Sequence, residues 1–304
     1  MMFSTESTAI SLSTTTMFVC NNTAPSGKCC VAEHPIINAE SMKKPSIFEK
    51  CVVNSYVVII QKYTKYMVAK NILKQLGQLG QKKYRNQHQL FSVEGDKAIL
   101  TFLENGYKLA HCFGLDSSTS TSIPFEVITS VEMNKLTNLK TPPALWAAFS
   151  IPTTLSYVPQ KLNLALDGVR DPGNLGTIIR LCDWFGIKQL FCSTDTVDCY
   201  NPKVVQASMG SLSKVQVYYV DLAACFNTHD LVVIGTTVGG VSIYETTLPT
   251  DAVLVLGNEG HGISENIAAL TKKNVSIPSY GNPAAESLNV AMATGILLSE
   301  FCKR

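Results

Sequence analysis

Three segments in the second half of the chain set polar side chains among glycines. Asp167 to Arg180 reads DGVRDPGNLGTIIR, with Asn174 between Gly173 and Gly176 and Arg180 further on. Leu256 to Ser264 reads LGNEGHGIS and places Glu259 among glycines. Ile277 to Gly295 passes through Gly281 and Pro283 before reaching Ser287 and Asn289. Together they offer a guanidinium, a carboxylate, a hydroxyl and two amides, which are groups that work by hydrogen bonding and charge. The chain has no C-x-x-C pair and no His cluster at zinc-ligand spacing, so no metal site is expected. The dinucleotide fingerprint G-x-G-x-x-G and the phosphate loop G-x-x-x-x-G-K-S/T are also absent, which argues against nicotinamide enzymes and P-loop enzymes. Taken singly, each glycine-rich loop is as much scaffold as site.

The elements around these loops alternate. Leu162, Leu164 and Leu166 alternate as in a strand, and Leu175 to Phe185 has helical spacing. Strands are expected at Gln189–Cys192, Val215–Val220, Leu231–Thr237, Ala252–Leu256 and Val275–Ile277. Asn201-Pro202 marks a helix start, with the amide as cap and proline at the first helical position. Ser264 is expected to cap another helix, and Glu286 to Phe301 to form the last. Such alternation predicts an α/β fold with a mostly parallel sheet covered by helices. Each of the three loops then sits at the carboxyl end of a strand, where open α/β sheets bind ligands.

The spacings N-L-G-x-x-x-R (Asn174 to Arg180), G-N-E-G (Gly257 to Gly260) and S-L-N-V-A-x-A-x-G (Ser287 to Gly295), in that order, resemble the three motifs of SpoU/TrmH-type RNA 2′-O-ribose methyltransferases of the SPOUT class. The resemblance covers residues 161–304. It implies a parallel-sheet domain with a C-terminal trefoil knot, a homodimer, and S-adenosylmethionine held by main-chain groups around Gly257, Ile277 and Leu288. It makes Arg180, Asn174, Glu259, Ser287 and Asn289 the catalytic set. Asn174 and Glu259 would position the ribose and lock the loops, and Ser287 and Asn289 would bond Arg180 or the target nucleotide. A guanidinium is a poor base, so Arg180 is expected to grip a phosphate and orient the 2′-hydroxyl. Each residue also has a plainer reading. Ser287 beside Glu286 suits a helix N-cap, and Ile277 and Leu288 suit a buried core. The alternative to an enzyme is a non-catalytic RNA-binding or ribosome-assembly factor on the same fold, which would have no need to keep all five polar residues.

The first half is different in character. Between Gln61 and Leu90 stand Lys62, Lys65, Lys70, Lys74, Lys82, Lys83 and Arg85, with no acidic residue. A solvated helix face is the ordinary reading of such a run. The segment 67–150 is predicted to be a small α/β domain, and 151–160, with two prolines, a linker. KKYR, the VEG strand end and its length resemble the ribosomal-protein-like substrate-binding domain of many SpoU members. RNA contacts are therefore expected at Lys82, Lys83 and Arg85, with ribosomal RNA favoured over transfer RNA. The net charge of +2 alone proves no polyanionic partner.

Residues 1–66 are Ser/Thr-rich at the start and broken by prolines, and they are expected to be a poorly ordered leader, with Met67 as the physiological start. The ten scattered cysteines read as reduced thiols of a cytoplasmic protein. No apolar run approaches the roughly 20 residues of a membrane helix. A chain beginning at Met67 should melt at the same temperature as the full chain. A large drop in melting temperature on removing residues 1–66 would overturn this.

Overall fold

The computed structural model describes residues 51–53, 56–58, 70–115, 123–153, 162–247, 249, 251–281 and 286–303. It divides into two compact units, Met1–Tyr66 and Met67–Arg304. In the first unit, β1 (Cys51–Val53) pairs antiparallel with β2 (Tyr56–Val58), Cys51 opposite Val58. The sequence reading assigned no element here, although the run of valines favours strand.

The second unit opens with α1 (Lys70–Leu76) and α2 (Lys82–His88). The helical spacing of Ile72, Leu73, Leu76 and Leu79 would suit one continuous helix, but α1 ends just before Gly77. A Cβ there would lie 2.5 Å from the carbonyl oxygen of Lys135, so only glycine permits this approach. There follow β3 (Leu90–Glu94), α3 (Asp96–Glu104), β4 (Leu109–Gly114), β5 (Glu126–Val127), α4 (Ser130–Leu136) and β6 (Leu145–Ser150). Helix α4 starts on a capping box in which Thr129 and Glu132 satisfy each other's main-chain N–H. The strands form a four-stranded sheet in the order β3-β6-β4-β5.

The second half contains β7 (Leu162–Leu166), α5 (Pro172–Trp184), β8 (Gln189–Cys192), α6 (Pro202–Ala207), β9 (Gln216–Tyr219), α7 (Leu222–Thr228), β10 (Val233–Ser242), β11 (Ala252–Leu256), α8 (Glu265–Ala268), β12 (Lys273–Ser276) and α9 (Val290–Phe301). All six strands pair in parallel, in the order β12-β10-β11-β7-β8-β9. The fold class is α/β, as expected. Strand order reverses between β7 and β11, so the loops leaving their carboxyl ends lie side by side. Asn201 caps α6 and Pro202 opens it.

Of the two glycines of the first motif, Gly176 serves packing. Both lie inside α5, and a Cβ on Gly176 would sit 2.4 Å from that of Ala207. Gly176 thus lets α5 rest directly on α6.

One apolar core runs through both halves of this unit, joining Phe91, Phe102 and Phe149 to Leu164, Ile178 and Val204. The Phe91 and Tyr200 rings stand 4.6 Å apart across the junction. Here the structure corrects the reading of Arg85. Far from contacting RNA, it is 2% exposed. Its guanidinium donates to the carbonyls of Leu79 and Gly80 at 2.8 and 2.9 Å, and to Asp198 Oδ2 at 3.1 and 2.5 Å. Five donors in a rigid fork suit such multiple acceptors, where a lysine would leave some unmet. Arg85→Ala strands the Asp198 carboxylate and should cost about 3–5 kcal/mol. Arg85→Met combined with Asp198→Leu should regain most of that. Chemical denaturation of the three proteins checks both, and an alanine variant as stable as the parent would dismiss the ion pair as a structural joint.

Candidate functional site

Three of the five polar residues converge at the carboxyl edge of the parallel sheet. Asp171 caps α5 by accepting the Asn174 N–H at 2.8 Å, with Pro172 as the first helical residue. That cap holds Asn174 in the first turn of α5. Its side chain then bridges the other two loops. Asn174 Nδ2 donates to Glu259 Oε1 at 2.6 Å, and Asn289 Nδ2 donates to Asn174 Oδ1 at 3.0 Å. Asn289 in turn accepts the N–H groups of Ala291 and Met292 at 3.0 and 3.3 Å, so it is the N-cap of α9. The relay therefore has one direction, from the helix N–H groups through two amides to a carboxylate.

The cap of the last helix was expected further back. Glu286 and Ser287 lie outside α9, which begins at Val290. An amide that accepts two N–H groups while its own NH₂ is engaged outcompetes an upstream hydroxyl. Arg180 and Ser287 are both exposed, and neither side chain finds a hydrogen-bond partner among the described residues. The expected contact of Ser287 or Asn289 with Arg180 is thus not made. Arg180 instead shares an exposed stripe of α5 with Gly173, Thr177 and Trp184.

Two residues that the sequence reading passed over tie these loops together. Asn258 donates through Nδ2 to the carbonyl of Gly168 at 2.8 Å and accepts the N–H groups of Gly260 and His261 at 2.9 and 3.2 Å. Its position between Gly257 and Gly260 was the available signal, because asparagine commonly bonds main chain two residues on. Asp167 accepts both the N–H and the hydroxyl of Ser264 through Oδ2, at 2.7 and 2.6 Å. Ser264 therefore precedes α8 without capping it through its side chain. Beside them, Asp195 accepts the Ser193 hydroxyl at 2.7 Å and pairs with Arg170 at 3.3 Å. Those contacts, the Ser193 hydroxyl first, hold the Asp195 carboxyl below its usual range. Ser193 Oγ also accepts the N–H of Gly168 at 2.8 Å. Gly257 is confined more tightly. A Cβ on it would fall 2.1 Å from the carbonyl carbon of Gly262, so this loop crosses itself with no room for a side chain.

Residues 161–299 match the SpoU rRNA Methylase family, and residues 70–147 match the MRM3-like substrate binding domain. A solved structure from Porphyromonas gingivalis, assigned to the TrmH family of RNA methyltransferases, is 40% identical. The match covers 78% of this chain and 98% of that one, with a TM-score of 0.70. The chain belongs to the SpoU rRNA methylase family. It is also similar to the 23S rRNA (guanosine(2553)-2′-O)-methyltransferase RlmP of Bacillus subtilis, 28% identical over 71% of this chain and 90% of that protein. An AdoMet-bound rRNA methyltransferase from Sinorhizobium meliloti is 27% identical with a TM-score of 0.68, covering 77% of this chain and 95% of its own.

Within this SpoU domain, Gly257, Ile277 and Leu288 follow or precede regular elements, and their main-chain groups bond no other described residue. Open main-chain donors and acceptors beside apolar side chains fit an adenosine. Ile277 is half-buried, but Leu288 is 52% exposed and not the core residue it was expected to be. Helix α9 turns Val290, Ala291, Thr294, Leu297 and Leu298 inward instead.

Asn174→Asp would set a second carboxylate against Glu259. Two like charges at hydrogen-bond distance raise the pKa of one of them. The penalty is therefore absent at acid pH, where one carboxyl holds a proton, and grows as pH rises through the raised value. Near pH 7 Asn174→Asp should melt below Asn174→Ala, which itself loses about 1 kcal/mol. In acid the order should reverse. Melting curves across pH decide it, and an unchanged order would mean that the relay carries no stability.

Proposed function

We propose that this chain methylates a ribose 2′-hydroxyl of RNA, with S-adenosylmethionine as methyl donor and ribosomal RNA as the substrate class. The observation that carries the reading is the Glu259–Asn174–Asn289 relay, which joins the three motif loops at the strand ends of a SpoU domain. The relatives named for ribosomal RNA and for 2′-O methylation support the substrate class. When bound, the cofactor supplies a methyl already activated on a sulfonium. The chain's own residues must then hold a poorly acidic hydroxyl in line with it. Asn174 and Glu259 position the ribose and keep the loops together. The exposed Ser287 hydroxyl meets the target nucleotide. Arg180 grips a neighbouring phosphate and orients the hydroxyl. Gly257, Ile277 and Leu288 receive the cofactor through their main chain.

Several further assignments belong to this proposal. Lys82 and Lys83 are exposed on α2 and contact RNA phosphates. The chain works as a homodimer, which is supported by the exposed apolar side chains Trp184 at 83%, Met292 at 64% and Leu288 at 52% on or beside α5 and α9. The trefoil knot that the resemblance implies belongs to the proposal as well. The free thiols among the described cysteines support a reducing cytoplasm.

Arg180 is the residue on which the chemistry turns. An interaction made mainly in the transition state lowers kcat and kcat/KM together. Arg180→Ala should nearly abolish methyl transfer to ribosomal RNA while S-adenosylmethionine still binds. Arg180→Lys should restore little, since an ammonium does not reproduce the planar fork. Single-turnover transfer of labelled methyl, set beside calorimetric cofactor binding, tests both. Near-normal transfer by the alanine variant removes Arg180 from the mechanism.

A further inference from the structure

Lys70 and Lys74 of α1 and Lys135 of α4 line one groove of about 480 Å³, floored by Leu73. The volume lies within the range of roughly 300–1,000 Å³ typical of ligand sites. Glu132 is the one carboxylate lining it, and it stays ionised. Its Oε2 accepts the N–H and the hydroxyl of Thr129 at 2.9 and 2.8 Å. The Thr129 main-chain bond, above all, holds that carboxyl below its usual range. None of the three lysines is ion-paired with any described residue. Three ammonium groups against one carboxylate, which Lys135 also helps to hold ionised, leave the groove net cationic.

Lysines in the last turn of a helix also offset its macrodipole. Lys74 and Lys135 occupy such positions. Lys70 does not, because it opens α1. Dipole neutralisation thus accounts for two of the three and not for their convergence. That convergence rests on Gly77, which lets the end of α1 press against the Lys135 carbonyl. We infer that this groove seats a phosphate of the RNA backbone and is a docking surface of the substrate-binding half, distinct from Lys82 and Lys83, which do not line it. The inference rests on the RNA methyltransferase reading for its choice of partner. Ammonium groups act as point charges suited to phosphate, and each phosphate contact adds to the salt dependence of binding.

The test uses the full chain and a fluorescein-labelled mixed-sequence RNA hairpin. Lys70, Lys74 and Lys135 are replaced together by glutamine in one variant and by arginine in another. The glutamine variant should bind roughly tenfold more weakly at low salt, and the slope of log affinity against log salt should flatten by about 1, at ~0.7–0.9 per phosphate neutralised. The arginine variant should keep both affinity and slope. Unchanged affinity and slope with a lowered melting temperature would overturn the proposal and leave the lysines as neutralisers of helix ends. Equal binding of polyglutamate, lost in the same variant, would overturn it in favour of an acidic protein partner. If the wild-type chain methylates no RNA while the hairpin result is as expected, the groove stands and the methyltransferase reading falls.

Discussion

A chain of two amides ending on a carboxylate holds the candidate site together. Glu259, Asn174 and Asn289 come from loops 85 and 115 residues apart, and no local preference could bring them together. The relay depends on polarity. Asn289 must accept from the helix and donate to Asn174, and Asn174 must accept from Asn289 and donate to Glu259. Each position therefore needs an amide with both a donor and an acceptor. The strand order supplies the proximity, since β11 pairs directly with β7 and their outgoing loops emerge together. The close crossing at Gly257 and the double bond from Ser264 to Asp167 then remove the remaining freedom of those loops. A site arranged in advance by its own hydrogen bonds has little to reorganise when substrate arrives.

The second constraint is the junction between the two halves of the Met67–Arg304 unit. A continuous apolar core would suffice to join them, but the Arg85–Asp198 pair adds direction. A buried ion pair is a weak source of net stability because desolvation offsets most of its Coulomb gain. It is intolerant of misplacement, however, since a shifted partner leaves a bare charge in the interior. With two carbonyls and one carboxylate around the same guanidinium, the α1–α2 turn has one seat against the segment before α6. The halves thus present a fixed relation between the basic surface of one and the strand ends of the other.

Much of this was legible in the sequence, and the failures share a cause. Alternating leucines located β7, and Asn201-Pro202 located the start of α6, because both signals are local. Asn174, Glu259 and Asn289 were marked by their place among glycines and by the family resemblance. Arg85 was misread because a run of like charges shows no sign of which member turns inward. Its acceptor, Asp198, lies 113 residues away. The choice of Asn289 over Ser287 as cap, and of Asp167 over a main-chain N–H as the partner of the Ser264 hydroxyl, were competitions between good hydrogen bonds. Tertiary neighbours decided them. Leu288 was placed in the core by helical periodicity, but the helix had not yet begun there.

The contrast between the satisfied and unsatisfied polar groups bears on mechanism. Asn174, Glu259 and Asn289 are engaged with one another, whereas the side chains of Arg180 and Ser287 are exposed without partners among the described residues. A guanidinium already paired with a carboxylate would have to surrender that bond before gripping a phosphate, and the exchange would cancel much of the gain. Left open, it forms its bonds only when substrate supplies the anion. On the proposed reading, the division separates two tasks. The relay fixes geometry before binding, and the open groups reserve their interaction energy for the bound RNA, where catalysis requires it.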